Sequence, residues 1–176
     1  MLYFVIIIFT IYLTTRANLM YENLTGVASM QQYHYFVIIF TFFCACFFAY
    51  KMLKVYNILP LSHKKSYQII IIFTALIMSI GSLFPYTQNG KDFFSQMHVL
   101  CSMFGCISFL TLLFLYTRQL SLYNTNVYLK MHWFLDLGLQ FLCIFLIVFS
   151  RVNGYIEIFY SLLVCIYLYL IEINMK

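Results

Sequence analysis

Long uninterrupted runs of apolar residues dominate this chain, and they constrain its fold more than any other feature. Ile69–Phe73 and Phe141–Phe149 contain no polar residue at all. A helix needs about 20 mostly apolar residues to cross roughly 30 Å of hydrocarbon, because it rises about 1.5 Å per residue. Only 9% of the 176 residues are charged, against about 25% in ordinary soluble domains. The sequence therefore predicts an all-α integral membrane protein forming a single transmembrane domain.

Six apolar segments are long enough, or nearly so, to be transmembrane helices. The predicted spans are about 2–15, 35–56, 67–84, 93–117, 131–150 and 155–173. The first is short, so we expect it to continue past Arg16 toward Tyr21, to tilt, or to thin the bilayer locally. A cleaved signal peptide is the competing interpretation, although the segment lacks a basic start and a small-residue cleavage site. Pro85 and the Asn153-Gly154 pair are typical of helix boundaries.

The basic residues of the loops predict the orientation of the bundle. One set of loops and termini holds Lys51, Lys54, Lys64, Lys65, Arg118, Lys130 and Lys176, and the opposite set holds Arg16, Lys91 and Arg151. Loops rich in Lys and Arg face the cytoplasm. We therefore expect a six-helix bundle with both termini inside and with residues 16–34, 85–92 and 151–154 outside.

The cysteines and histidines do not have the spacing of a metal or redox site. No pair of the six cysteines is separated as C-x-x-C, and we interpret all six as packing residues. The H-x-x-x-H and H-E-x-x-H patterns are absent, and His132 is predicted on the opposite side from His34 and His98. We expect no metal and no cofactor. Without a basic-aromatic patch, the net charge of +5 does not indicate nucleic-acid binding.

Polar residues near the outer ends of the third and fourth spans predict an outward-facing pocket. His98 lies about one turn into its span, and Ser102 follows at the i+4 position on the same face. The candidate ligand-binding residues are His98, Ser102, Ser79, Ser82, Gln96 and His34. The alternative is that His98 and the serines hydrogen-bond one another only to hold helices together. Glu157 and Glu172, at the two ends of the last span, are expected to be solvated.

A second polar pair lies at the inner end of the fifth span. His132 and Asp136 are four residues apart and share a helix face. An unpaired carboxylate at this depth is costly, so His132 is expected to stabilise its charge. The pair predicts either a proton-relay or ligand-binding role, or a structural ion pair.

One short stretch resembles a known family. Gly81-Ser82-Leu83-Phe84-Pro85, a short polar turn and His98 early in the next helix are similar to the pattern in six-helix bacterial membrane proteins of unknown function related to the Frag/DRAM-type membrane proteins. The similarity covers about 30 residues and implies a fold but no established reaction. It implies that His98, Gly81 and Pro85 are site or helix-packing residues.

These observations leave three classes of function open. The first is a small-molecule or lipid-binding, sensing or accessory module in a bacterial cytoplasmic membrane, which the Ile/Phe/Tyr/Asn-rich composition suits. The second is a lipid hydrolase or transferase that uses His98 or the His132/Asp136 pair as acid and base. The third is a small proton-coupled transporter that uses Asp136. The expected partners are membrane lipids and either a second copy of the chain or another membrane protein.

Overall fold

The computed structural model describes residues 2–59, 64–87 and 90–175. In these residues the regular structure is entirely helical. The helices are α1 (Leu2–Thr14), α2 (Leu24–Ala28), α3 (His34–Ile58), α4 (Lys64–Leu83), α5 (Phe93–Leu120), α6 (Thr125–Phe149) and α7 (Gly154–Asn174). Within the described ranges five helices, α3 to α7, are long and apolar enough to cross a membrane. The chain is therefore a helical bundle of membrane type.

Asparagine and aspartate side chains set the starts of four helices. Asn23, Asp92, Asn124 and Asn153 precede α2, α5, α6 and α7, and each accepts a hydrogen bond from a backbone N–H in the first turn. Such caps satisfy donors that the helix itself leaves free. The cap at Asn124 starts α6 at Thr125, six residues before the predicted start of the fifth membrane span. The first helix ends at Thr14, which also rules out its continuation to Tyr21.

The long helices run alternately between the two ends of the bundle. Each packs against its neighbour in sequence, α1 packs against α7, and α3 also contacts α7. The Tyr3 ring at the start of α1 lies 6.0 Å from the Tyr169 ring near the end of α7, and Lys51 Nζ lies 4.8 Å from the Tyr3 ring. We call this end of the bundle the Lys51 end. The opposite end, where α5 begins, is the His98 end.

The core is largest toward the Lys51 end and contains satisfied polar groups. Tyr56 and Tyr167 are fully buried. The Tyr56 hydroxyl donates to the Leu112 carbonyl at 2.7 Å, and the Tyr167 hydroxyl is hydrogen-bonded to the Thr117 hydroxyl. These bonds join α3 and α7 to α5. Lys51 and Glu172 form an ion pair of 2.8 Å with 16% of each side chain exposed, so the prediction that Glu172 is solvated was wrong.

Small residues allow the helices to approach closely. A Cβ atom on Gly81 would lie 2.8 Å from Cys101 Cβ, and one on Gly138 would lie 2.3 Å from a Leu163 methyl. Both distances are shorter than van der Waals contact. These glycines therefore set the α4–α5 and α6–α7 separations, as small residues do between membrane helices.

Candidate functional site

Three connecting segments converge at the His98 end and close it. The backbone N–H of Gly154, at the start of α7, donates to the Leu19 carbonyl at 3.1 Å and to the Glu22 carbonyl at 2.8 Å. The Asn153 amide donates to the Met20 carbonyl at 3.3 Å. Asn153 is completely buried. The turn between α6 and α7 is therefore fixed to the segment between α1 and α3.

The short helix α2 lies within that segment. The Asn23 side chain accepts from Gly26 N at 3.1 Å and so caps the helix. Val27 and Ala28 are buried against Leu13 of α1 and Val37 of α3. A five-residue helix is not stable alone, so these apolar contacts and the contacts of its first turn hold it in place.

His98 connects α2 to α4 and α5. Its side chain is 7% exposed. Nδ1 lies 3.1 Å from the Phe84 carbonyl oxygen, which can only accept, so the neutral ring carries its proton on Nδ1. Nε2 then accepts from the Thr25 hydroxyl at 3.2 Å. Both ring nitrogens therefore have partners, one in the segment after α4 and one in α2.

Glu157 connects α2 to α7. Its Oε2 atom accepts from the backbone N–H of Leu24 at 2.6 Å, so this carboxylate satisfies a donor in the first turn of α2. The side chain is only partly buried. Among the described residues its Oε1 atom has no hydrogen-bond donor, and no Lys, Arg or His side chain lies within 4.0 Å of the carboxylate. Glu157, which was expected to be solvated at a helix end, therefore also accepts a hydrogen bond from the first turn of α2.

Further polar groups follow Glu157 along α7 toward the middle of the bundle. The Tyr160 hydroxyl donates to the Cys106 carbonyl of α5 at 3.4 Å. Thr10 of α1 donates to the Ser161 hydroxyl at 3.4 Å. These two hydrogen bonds link α7 to α5 and to α1. Polar contacts between helices therefore continue along α7 from Glu157.

Asp92 anchors the segment between α4 and α5. Its carboxylate accepts from the Ser95 N–H at 3.0 Å, from the Ser95 hydroxyl at 2.7 Å and from the Thr87 hydroxyl. These hydrogen bonds, the one from Thr87 first, lower the pKa of Asp92 to about 2. The carboxylate is therefore ionised at neutral pH, and it fixes the start of α5 three residues before the buried Ser95.

The residues predicted for the outer pocket fall into separate environments. Ser79 and Ser82 are buried in α4, where the Ser82 hydroxyl donates to the Ser79 carbonyl at 2.8 Å. Gln96 is exposed, and its amide donates to the Lys91 carbonyl at 3.3 Å. His34 Nδ1 contacts the Ala28 carbonyl at 2.9 Å. The backbone of Ser102 packs against Gly81. The structure thus brings His98 together with Thr25 and Phe84, and it does not hydrogen-bond His98 to the other predicted residues.

His132 and Asp136 lie apart from this site. Their side chains are 3.4 Å apart on α6 and are 36% and 42% exposed. The His132 ring stacks on Tyr128 at 5.2 Å with an interplanar angle of 9°. The pair therefore exists as the sequence predicts, but it lies on an open face of the bundle.

Sequence reasoning missed Thr25 and the role of Glu157. Thr25 lies 73 positions from His98, and no local pattern joins the two. Glu157 carried one usable signal, because an acidic residue in a first helical turn after an Asn cap is typical of a helix start. In the described part of the chain no three His, Cys, Asp or Glu residues could hold a metal ion together.

Comparison of the chain with protein-family models, curated proteins and solved structures gives no match. The chemistry of the site therefore rests on its own geometry. Both nitrogens of His98 have partners, whereas Oε1 of Glu157 accepts no hydrogen bond from the described residues and α2 lies beside it. That arrangement favours binding of a hydrogen-bond donor over acid–base catalysis.

Proposed function

We propose that this protein is a membrane-embedded binding module that receives a small molecule or a lipid headgroup at the His98 end. The observation that supports this most is Glu157. A carboxylate that is partly removed from water costs free energy unless donors or a cation compensate it. Leu24 N–H supplies one donor to Oε2, and Oε1 has none in the described structure. A ligand that carries an ammonium or hydroxyl group would complete the site.

Helix α2 would serve as the cover of this site. It is held from two sides, by Thr25 on His98 at 3.2 Å and by Leu24 on Glu157 at 2.6 Å. A ligand that competes for the Glu157 carboxylate would therefore loosen α2. Ligand binding at Glu157 would in this way change the conformation of the His98 end. Such a link suits a sensing or accessory role.

The two alternatives have less support. A hydrolase or transferase would need a free nitrogen on His98, and both nitrogens have partners. A proton-coupled carrier would need Asp136 inside the bundle, whereas 42% of its side chain is exposed. Either role would require a rearrangement of the described contacts.

The proposal includes six crossings, cytoplasmic termini and a bacterial cytoplasmic membrane. The start of α1 and the end of α7 meet at the Lys51 end. Lys51 and Lys54 lie at the same end. The orientation can be tested with two reporters, green fluorescent protein and alkaline phosphatase. Each is fused after residue 176 in one fusion protein and after residue 152 in another. Fluorescence after residue 176 with phosphatase activity after residue 152 is expected, and the reverse pattern would contradict it.

The proposed relationship to Frag/DRAM-type membrane proteins draws support from two contacts. In the stretch on which the resemblance rests, the Phe84 carbonyl before Pro85 bonds His98 at 3.1 Å, and Gly81 packs on α5 through Cys101. Both contacts therefore join the stretch that carries the resemblance to α5.

The test of the binding function compares full-length protein with Glu157→Gln and with Gln96→Ala. Gln96 is exposed at the same end, so it is a matched control. The proteins are purified from membranes and reconstituted in nanodiscs of phosphatidylethanolamine or phosphatidylglycerol, and retained molecules are identified by native mass spectrometry. We expect wild type and Gln96→Ala to retain an amine- or hydroxyl-bearing molecule and Glu157→Gln to lose it. Equal retention by all three would refute the proposal.

A further inference from the structure

The interior-facing side of α7 is not completely packed near the start of the helix. Glu157, Ser161, Val164, Leu168 and Ile171 follow one another at intervals of three or four residues, so they lie on one face of the helix. Val164, Leu168 and Ile171 are completely buried, which shows that this face points into the bundle. Glu157 and Ser161, on the same face, are only half-buried. Space therefore remains beside the first two turns of α7.

Helix α5 has a gap in its packing at the same level. His98, Ser102 and Cys106 follow one another at intervals of four residues and share a face. His98 and Phe109 are 7% and 4% exposed, whereas Ser102 and Cys106 between them are half-buried. The Tyr160 hydroxyl of α7 donates to the Cys106 carbonyl at 3.4 Å, so the two gaps meet. We call the space between them the α5–α7 cleft.

Each wall of the cleft carries a polar group without a partner in the described chain. Glu157 Oε1 accepts no hydrogen bond there, although Oε2 accepts from the Leu24 N–H at 2.6 Å. The Ser102 hydroxyl makes no hydrogen bond to any described residue. Polar groups inside a membrane protein normally pair with one another. The cleft therefore offers one free acceptor and one free donor.

The free acceptor and the free donor lie at nearly the same depth. Helices α5 and α7 both begin at the His98 end and run in the same direction. Glu157 precedes Tyr160 by three residues, and Ser102 precedes its contact partner Cys106 by four. At about 1.5 Å per residue the two positions differ in depth by about 1.5 Å. One ligand group between the helices can therefore contact both.

No positive charge of the described chain compensates an anion in the cleft. No Lys, Arg or His side chain lies within 4.0 Å of the Glu157 carboxylate there. Arg16 and Arg151, at the same end of the bundle, each lie over a tyrosine ring, at 4.0 and 5.4 Å from its centre. Lys91 is exposed, and His98 is neutral with its proton on Nδ1. A phosphate or a carboxylate is therefore disfavoured as a ligand.

The depth of the cleft decides the rest of the ligand. Ser102 lies about 14 Å from the start of the 28-residue helix α5 at about 1.5 Å per residue. A group that contacts it lies within the hydrocarbon region of the bilayer. The remainder of such a ligand is therefore an alkyl or acyl chain, because further polar groups would have no partner at this depth.

We propose that the ligand of this site is an uncharged amphiphilic alcohol whose hydroxyl group bridges Glu157 and Ser102. This rests on the binding function proposed for the His98 end and names the class of ligand. A hydroxyl group can donate to Glu157 Oε1 and accept from Ser102 at once. An ammonium group only donates and leaves the Ser102 proton unpaired. A phosphate group meets the Glu157 carboxyl with no cation beside it.

Binding of tritiated 1-dodecanol to the full chain in nanodiscs tests the ligand class. Scintillation proximity is measured for wild type, Ser102→Ala and Ser108→Ala, and the signal of empty nanodiscs is subtracted. Ser108 is a matched control because it is half-buried on the same helix but shares the face of Cys101, which packs on Gly81 of α4. Ser102→Ala should weaken binding about two- to tenfold, since one hydrogen bond is lost. Ser108→Ala should bind as wild type does, and melting temperatures check that each variant is folded.

Unlabelled competitors separate the three headgroup chemistries. Dodecanol should displace the label, dodecylamine should do so more weakly, and dodecyl phosphate should not. No saturable dodecanol binding, equal binding by wild type and Ser102→Ala, or stronger displacement by dodecylamine or dodecyl phosphate would each overturn the alcohol as ligand. The binding function itself would still stand if Glu157→Gln alone loses the molecule retained from membranes, and it would fail only if all the variants in that experiment retain it equally.

Discussion

Lys51 and Glu172 join α3 to the end of α7 through an ion pair of 2.8 Å, in which 16% of each side chain is exposed. Lys54, one turn further along α3, lies 3.7 Å from the same carboxylate oxygen but has 54% of its side chain exposed. Two lysines therefore face one glutamate with different degrees of burial. This difference gives a direct test of which contact stabilises the Lys51 end.

We expect Lys51→Met to lower the free energy of unfolding by about 1–3 kcal/mol, between the values for exposed and for fully buried pairs. Lys54→Met, the matched control, should change it by no more than about 0.5 kcal/mol, because exposed ion pairs contribute little. Reversible unfolding in detergent micelles measures both. Equal effects of the two variants would contradict the unequal roles assigned to the lysines.

The substitutions Glu157→Ala and Glu157→Gln should have different effects on stability and on ligand binding. Glu157→Ala removes the acceptor of the Leu24 N–H, which is partly buried; leaving it unpaired should cost at most about 1–3 kcal/mol, the range for a buried donor. Glu157→Gln keeps an acceptor oxygen and should retain most of the stability, although it replaces the second carboxyl oxygen, to which a ligand would bind, with an amide NH2 group. Thermal unfolding of both variants without added ligand measures the effect. If Gln destabilises as much as Ala, an acceptor oxygen at position 157 is not sufficient to hold α2.

Asp92 should give a pH-dependent contribution at the start of α5. Its pKa in the folded chain is about 2, below the ordinary value of 3.8, so the folded state favours the ionised form. The stabilisation is complete above the ordinary pKa and is lost as the pH falls toward 2. The difference in melting temperature between wild type and Asp92→Asn should be constant above about pH 5 and shrink on acidification. A difference that grows on acidification would contradict this assignment.

Gly81 should tolerate no larger residue while Cys101 faces it. A Cβ at position 81 would lie 2.8 Å from Cys101 Cβ, so Gly81→Ala should cost about 1–3 kcal/mol through overpacking. Cys101→Gly removes the opposing atom. The double variant should therefore be more stable than the sum of the two single effects implies. Strict additivity in a double-mutant cycle would show that the two residues do not limit the helix separation.

The apolar runs were enough to predict the long helices, because membrane helices are defined by length and hydropathy alone. The predicted fifth span begins at about residue 131 because Lys130 read as a loop residue, whereas Asn124 caps α6 six residues earlier. Helix α2 has five residues and is too short for any periodicity. It exists because of tertiary contacts, which a sequence pattern does not contain.

The candidate site could likewise be predicted only in part from the sequence. The position of His98 near the start of a helix follows from the sequence, and its burial fits a polar residue in a membrane helix. Its partner Thr25 does not follow from the sequence, because 73 residues separate the two. The sequence indicated that Glu157 was an ordinary residue at a helix end. Its role depends on the tertiary contact with Leu24, which the sequence does not show.

The contact between Leu24 and Glu157 also has a consequence for the order of events during synthesis. Leu24 leaves the ribosome 133 residues before Glu157, which is roughly 7–27 s at the usual rate of about 5–20 residues per second. Throughout this interval the first turn of α2 lacks its acceptor. The cover can therefore be secured only after the last helix has entered the membrane.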